Sequence, residues 1–83
     1  MKITVKYFAS IREAIGQGRE SIDTQATSLA TLRDELIARG GRYGSALARN
    51  KPLRVAQNQV MAAETTLLTE GAEVAFFPPV TGG

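Results

Sequence analysis

Cysteine and histidine are both missing from this 83-residue chain. Without cysteine there is no structural disulfide. Without either residue, His or Cys metal sites are excluded, and so are the usual nucleophilic and general-base side chains. A long apolar run is lacking too: nothing approaches the roughly 20 residues that a membrane helix requires. The opening Met1-Lys2-Ile3-Thr4-Val5-Lys6 meets a charge at Lys6, too early for a secretory signal. Charge excess is small, +2, and aromatic residues make up only 6%, so neither points to nucleic acid. No glycine-rich loop leads into Lys-Ser/Thr, so the chain has no phosphate cradle for ATP. The expectation is a soluble, cytoplasmic protein with no membrane or nucleic-acid partner and no bound cofactor or metal.

What is present is ordinary for a globular protein, 43% hydrophobic and 22% charged. The length fits one domain over residues 1–83, with 78–83 as an extended C-terminal tail. So small a domain has little room for a buried active site.

Alternation over residues 2–8 predicts a strand with Ile3, Val5 and Tyr7 on its buried face. Lys2, Thr4, Lys6 and Phe8 fall on the other face. A short helix follows, capped by Ser10 and ended by Gly16. Residues 19–23 read as a second strand carrying Ile22. The clearest helix covers 28–39, with Ser28 as N-cap and an apolar stripe of Leu29, Leu32, Leu36 and Ile37. Arg33, Asp34 and Arg39 are expected to face away from it. Gly40-Gly41 stops this helix. A further short helix is expected around Tyr43 and Leu47, and a strand from Leu53 through Ala56 toward Met61. Leu67-Leu68 precedes a turn, and residues 73–77 form the last strand, stopped by Pro78-Pro79.

One amphipathic helix over one face of a small mixed sheet is an α+β arrangement. Pairing the first and last strands at the sheet centre builds a core from Ile3, Val5, Tyr7, Val74, Phe76 and the helix stripe.

The last ten residues, from Val74 to Gly83, carry no charged side chain. A tail kept only for solubility is normally polar. This one is apolar, then stiffened by Pro78-Pro79, then stripped of side chains at Gly82-Gly83. The four residues beyond the prolines, Val80, Thr81, Gly82 and Gly83, reach about 13 Å when extended. Glycine enters slots that a Cβ would close. The Gly83 α-carboxylate is then the group presented at the tip. A carboxylate acylates poorly until it is adenylated, after which a sulfur donor converts it to a thiocarboxylate. That chemistry requires a second protein to bind ATP. The Gly-Gly pair alone is weak evidence; the whole lead-in from Phe76 to Thr81 is specific.

Strand parity adds a second feature. With Val74 and Phe76 inward, Phe77 faces out, as does Phe8. Both rings are expected in an exposed apolar patch at the tail root, with Met61 joining if its strand runs alongside. Arg39, Arg42, Arg49, Lys51 and Arg54 lie in a stretch free of acidic residues. They read first as a solvated positive face, and second as steering toward an acidic partner. Asp34 and Glu35 diverge on their helix, and Glu64, Glu70 and Glu73 sit near turns; all read as surface charge.

Three segments carry a family resemblance: Val5-Lys6-Tyr7-Phe8-Ala9 with Ile11-Arg12-Glu13; Thr31-Leu32-Arg33; and the block from Leu68 through Phe77-Pro78-Pro79 to Gly83. Together they resemble the ubiquitin-like β-grasp sulfur carriers, and among them the small subunits of molybdopterin synthase. The resemblance implies that Gly83 is adenylated by an enzyme related to ubiquitin-activating enzymes and then thiocarboxylated. It implies insertion of the tail into a large synthase subunit and sulfur delivery to cyclic pyranopterin monophosphate, within a heterotetramer of two small and two large subunits. The catalytic side chains would be the large subunit's. Phe8, Met61 and Phe77 match interface positions of that family. One departure stands in the middle strand, where this chain has Gln57-Asn58 and the family often has Val-Asn.

Two other uses of such a tail stay open on the residues: a thiamine-type or dual-use sulfur carrier, and a ubiquitin-like modifier forming isopeptide bonds. A binding module with an inert tail is the remaining alternative.

Overall fold

Two-residue alternation is strongest near the two ends of the chain, and those ends meet in the middle of one sheet. The computed structural model describes residues 1–79. Its strands are β1 (Lys2–Tyr7), β2 (Arg19–Asp23), β3 (Arg54–Gln57), β4 (Val60–Ala62) and β5 (Glu73–Phe77). They lie in the order β2-β1-β5-β3-β4. β1 and β5 run parallel, with Val5 opposite Val74 and Tyr7 opposite Phe76. β5 pairs antiparallel with β3, which makes it the central strand. Helix α1 covers Ala9–Ile15, α2 Leu29–Ile37 and α3 Gly41–Ala46. This is the α+β, β-grasp arrangement expected.

The core is the expected one. Ile3, Val5, Tyr7, Val74 and Phe76 are buried, and so are Leu29, Leu32 and Leu36. Each leucine contributes roughly 1.5–3 kcal/mol by leaving water. Ile37 packs at the margin. Ser28 caps α2 as expected: its Oγ accepts from the Thr31 N–H at 3.1 Å, and Thr31 Oγ1 accepts from the Ser28 N–H at 3.0 Å. Thr31 thus takes the place of the Glu or Gln usual in a capping box.

Several local expectations differ from what the chain does. Ser10 does not cap α1; Phe8 holds that position in extended geometry, with no side-chain bond. Ala9 follows at φ 52°, so the chain leaves the strand abruptly. Gly16 ends α1 as anticipated, at φ 94°. The segment from Arg54 to Ala62 is two strands joined at Asn58-Gln59, both at positive φ (51° and 68°), the geometry of a tight hairpin. Asn58 accepts from the Glu73 N–H at 3.0 Å through Oδ1, which carries the ladder past the end of β3.

Arg33 is the largest correction. It does not face away: its side chain is only 4% exposed. Position 33 lies four residues after Leu29 and three before Leu36, so it shares their face. The buried charge is met by the Leu47 carbonyl at 2.8 Å, the Lys51 carbonyl at 3.0 Å and the Ala48 carbonyl. Glu64 closes the set with an ion pair at 2.8 Å. Glu64 also pairs with Arg49 at 2.6 Å, so it is not idle surface charge. Arg39 pairs with Glu20 at 3.0 Å and Arg49 with Asp34 at 2.7 Å. The basic stretch is therefore not one solvated face: two of its five cations are neutralised by acids from elsewhere in the chain.

Candidate functional site

The tail root is built by β5 and by the end of β1. The Phe8 N–H donates to the Phe76 carbonyl at 3.1 Å, extending the parallel ladder by one residue. That bond sets Phe8 beside Phe77. The two rings meet edge to face, centroids 6.4 Å apart and planes at 85°. Phe8 remains 45% exposed. The aromatic pair expected from strand parity is thus formed, on the sheet face opposite the helices.

Met61 reaches the same face from β4. It is the Cα partner of Ala56, which in turn faces Ala75, and Ala75 faces Lys6. Directly opposed residues share a face. Met61 is 55% exposed and stands one strand beyond Phe77, with β3 between them. The small residues Ala56 and Ala75 form the floor between Met61 and the aromatic pair. Sequence reasoning passed over both; their alternation with Val55, Val74 and Phe76 was the available signal. Gln57, the departure from the family pattern, leaves the register intact, opposite Val60 and Val74. Its Nε2 donates to the Leu67 carbonyl at 3.1 Å and its Oε1 accepts from the Thr69 N–H at 3.0 Å. The polar side chain thereby fastens the loop that precedes β5.

Pro78 and Pro79 continue from β5. Together with Ile11, Ala14, Ala46, Lys51 and Leu53 they line a groove of about 240 Å³ between α1, α3 and the start of β3. Val80, Thr81, Gly82 and Gly83 lie outside the described residues.

Among the described residues, no group of three or more Asp or Glu is placed to hold a metal ion. A perturbed cluster sits where β1, β2, α2 and α3 come together. Glu20 Oε2 accepts from Tyr7 at 2.8 Å and from Tyr43 at 2.7 Å, and its Oε1 accepts from Arg39 at 3.0 Å. Burial would push the Glu20 carboxyl up, but the bonds from Tyr43, Arg39 and Tyr7 outweigh it and hold it below its ordinary value. Burial, then the bond to Glu20, pushes the Tyr7 phenol well above its ordinary range. A carboxylate saturated by three donors is a brace rather than a base. The signs give a prediction. Tyr7 favours the folded state only while protonated, so its contribution is complete below its unfolded value near pH ~10 and is lost as pH rises beyond. Glu20 acts oppositely, and its contribution is lost as pH falls below ~4. Urea midpoints measured from pH 8 to 11 should fall at the alkaline end, and Tyr7→Phe should flatten that fall. An equally steep fall in Tyr7→Phe would refute the assignment.

No helix among the described residues is long and apolar enough to cross a membrane. The chain is 40% identical over 81 residues to the molybdopterin synthase sulfur carrier subunit of Escherichia coli, covering 98% of this chain and 99% of that protein. It is 36% identical over 85 residues to the protein of the same name from Mycobacterium tuberculosis, covering 100% and 99%. Among solved structures it is similar to SAMP1 from Haloferax volcanii, with a TM-score of 0.76 at 25% identity over 100% of both chains. It is also similar to a chain in the complex of subunits 1 and 2 of the molybdopterin-converting factor from Helicobacter pylori, with a TM-score of 0.66 at 25% identity over 100% of both. Residues 5–83 match the ThiS family. A β-grasp core and a family match over residues 5–83 together establish that this chain belongs to the ThiS family.

Proposed function

We propose that this chain is the sulfur-carrier subunit of a molybdopterin synthase. The observation that carries the reading is the exit of the Pro78-Pro79 tail from the central strand, beside an aromatic pair of exposed Phe8 and half-buried Phe77. Relatives at 36–40% identity over nearly the whole chain bear that function in their names.

The chemistry starts at the Gly83 carboxylate. Its oxygen attacks the α-phosphorus of ATP held by a ubiquitin-activating-enzyme-like adenylyltransferase, and pyrophosphate leaves. A sulfur donor then displaces AMP, leaving a thiocarboxylate. Pro78, Pro79, Val80, Thr81 and Gly82 carry that group into the large subunit, which converts cyclic pyranopterin monophosphate to molybdopterin. A dithiolene holds two sulfurs and each tail carries one, so each product consumes two charged carriers. Phe8, Phe77 and Met61 dock the carrier on its partner, in a heterotetramer of two small and two large subunits. The large subunit supplies the catalytic side chains; this chain contributes a positioned carboxylate. In this reading the cycle, which needs ATP, runs in the cytoplasm.

Intact-mass spectrometry tests the reading. Protein produced with its adenylating partner and a sulfur source should gain about 16 Da, the exchange of one oxygen for sulfur. No gain, alongside a related carrier that does gain it, would refute the proposal. A gain in mass without dithiolene formation when the large subunit is added would favour a carrier for another pathway, such as the thiamine type.

A further inference from the structure

Beside Phe77 and Met61 on the docking face stands a cation, Arg54, that has no ion-pair partner among the described residues. Arg54 is the Cα partner of Phe77 across the β3–β5 ladder. It therefore stands on the open face, with Ala56 two residues further along the same side and Met61 opposite Ala56. Arg54 is exposed, and none of the ion pairs among the described residues includes it. Its neighbours are differently placed. Lys6, on the same face, pairs with Glu73 at 3.4 Å. Arg39 and Arg49 are taken up by Glu20, Asp34 and Glu64. Arg54 also forms one wall of a cleft of about 430 Å³, with Leu53, Met61, Ala63 and Glu64 among the others. The Glu64 carboxylate in that wall is already bonded to Arg33 and Arg49.

A partner that covers Phe8, Phe77 and Met61 also covers Arg54. Stripping water from an unpaired guanidinium opposes binding strongly, whereas a carboxylate in fork geometry offsets that cost. A charge inside an apolar patch also penalises any partner that lacks the complement. We infer that Arg54 is a partner-selecting residue: the docking face of the large subunit presents an Asp or Glu side chain that enters the cleft beside Met61 and pairs with the Arg54 guanidinium. This rests on the docking face described under the proposed function, and it adds the chemistry of what meets that face.

The test measures affinity of the full-length chain for its purified large subunit, by calorimetry at low and high salt. Arg54→Glu should weaken binding by roughly thirtyfold or more, since it sets like charges against each other. Arg54→Met keeps the bulk of the side chain and should weaken binding roughly five- to tenfold while flattening the salt dependence. Both variants should keep the parental unfolding midpoint, because the Arg54 side chain is exposed and has no hydrogen bond or ion pair among the described residues. An Asp→Lys or Glu→Lys change on the large subunit's face should restore binding of Arg54→Glu. Arg54→Met binding within twofold of the parent, with unchanged salt dependence, overturns the inference. Phe77→Asp separates the two levels. Loss with Phe77→Asp but with neither Arg54 variant refutes only the charge pairing; no loss with any of the three refutes the docking face.

Discussion

Deleting Gly82 and Gly83 is expected to abolish sulfur loading, with a loss beyond about a hundredfold, while the domain stays folded. The deletion withdraws the terminal carboxylate by roughly 7 Å. A reacting group displaced by even ~1 Å can lose about a hundredfold in rate. Adding one alanine after Gly83 should be nearly as damaging. It pushes the carboxylate outward by about 3.5 Å and brings a Cβ into a slot that accepts glycine. Neither change touches the core of Tyr7, Val74 and Phe76, so the unfolding midpoint should hold. Intact mass after activation and dithiolene yield with the large subunit are the two readouts. A truncated chain that still supports dithiolene formation would mean that the tail is inert and the chain acts as a plain binding module. Covalent attachment of the intact chain to lysines of other proteins would instead favour a ubiquitin-like modifier.

Arg33→Ala is expected to be as destabilising as truncating a core aromatic residue, by roughly 3–5 kcal/mol. The guanidinium is almost fully enclosed, and it bonds three carbonyls of the segment between α3 and β3 as well as Glu64. Removing it leaves those acceptors without their donor and Glu64 with Arg49 alone. For a domain of this size the loss corresponds to a melting temperature lower by roughly 12–40 °C. Arg49→Ala makes the contrast. Its side chain is 45% exposed, and its pairs with Asp34 and Glu64 lie at the surface, so less than about 1 kcal/mol is expected. Thermal unfolding of both variants checks the ordering. Equal small losses would show that the buried guanidinium braces nothing.

Much of this fold was legible because the decisive signals are local. Ile3, Val5 and Tyr7 alternate without interruption, Val74 and Phe76 do the same, and Leu29, Leu32 and Leu36 recur at helical spacing. The aromatic pair at the tail root followed from the same parity. What escaped depends on partners far away in the chain. Arg33 was assigned to solvent by its charge, although its spacing put it on the leucine face; the carbonyls of a distant loop and the Glu64 carboxylate make that burial tolerable. The cations from Arg39 to Arg54 looked like one positive surface because the acids that answer them, Glu20, Asp34 and Glu64, lie outside that stretch or on other elements. The hairpin at Asn58-Gln59 lacks the glycine that usually announces such a turn, so β3 and β4 read as one strand. Phe8 displaced Ser10 as the helix cap because the parallel ladder holds it in place to the last bond.

β5 lies between two neighbours, and the tail is its direct extension. Tension applied along Pro78-Pro79 therefore loads the ladders to β1 and β3 together, in shear along the strand axis. Their hydrogen bonds would have to yield at once rather than unzip singly, as they would from a sheet edge. A partner gripping the tip can pull against the whole domain without unravelling it, which makes the carrier a mechanical handle as well as a chemical one.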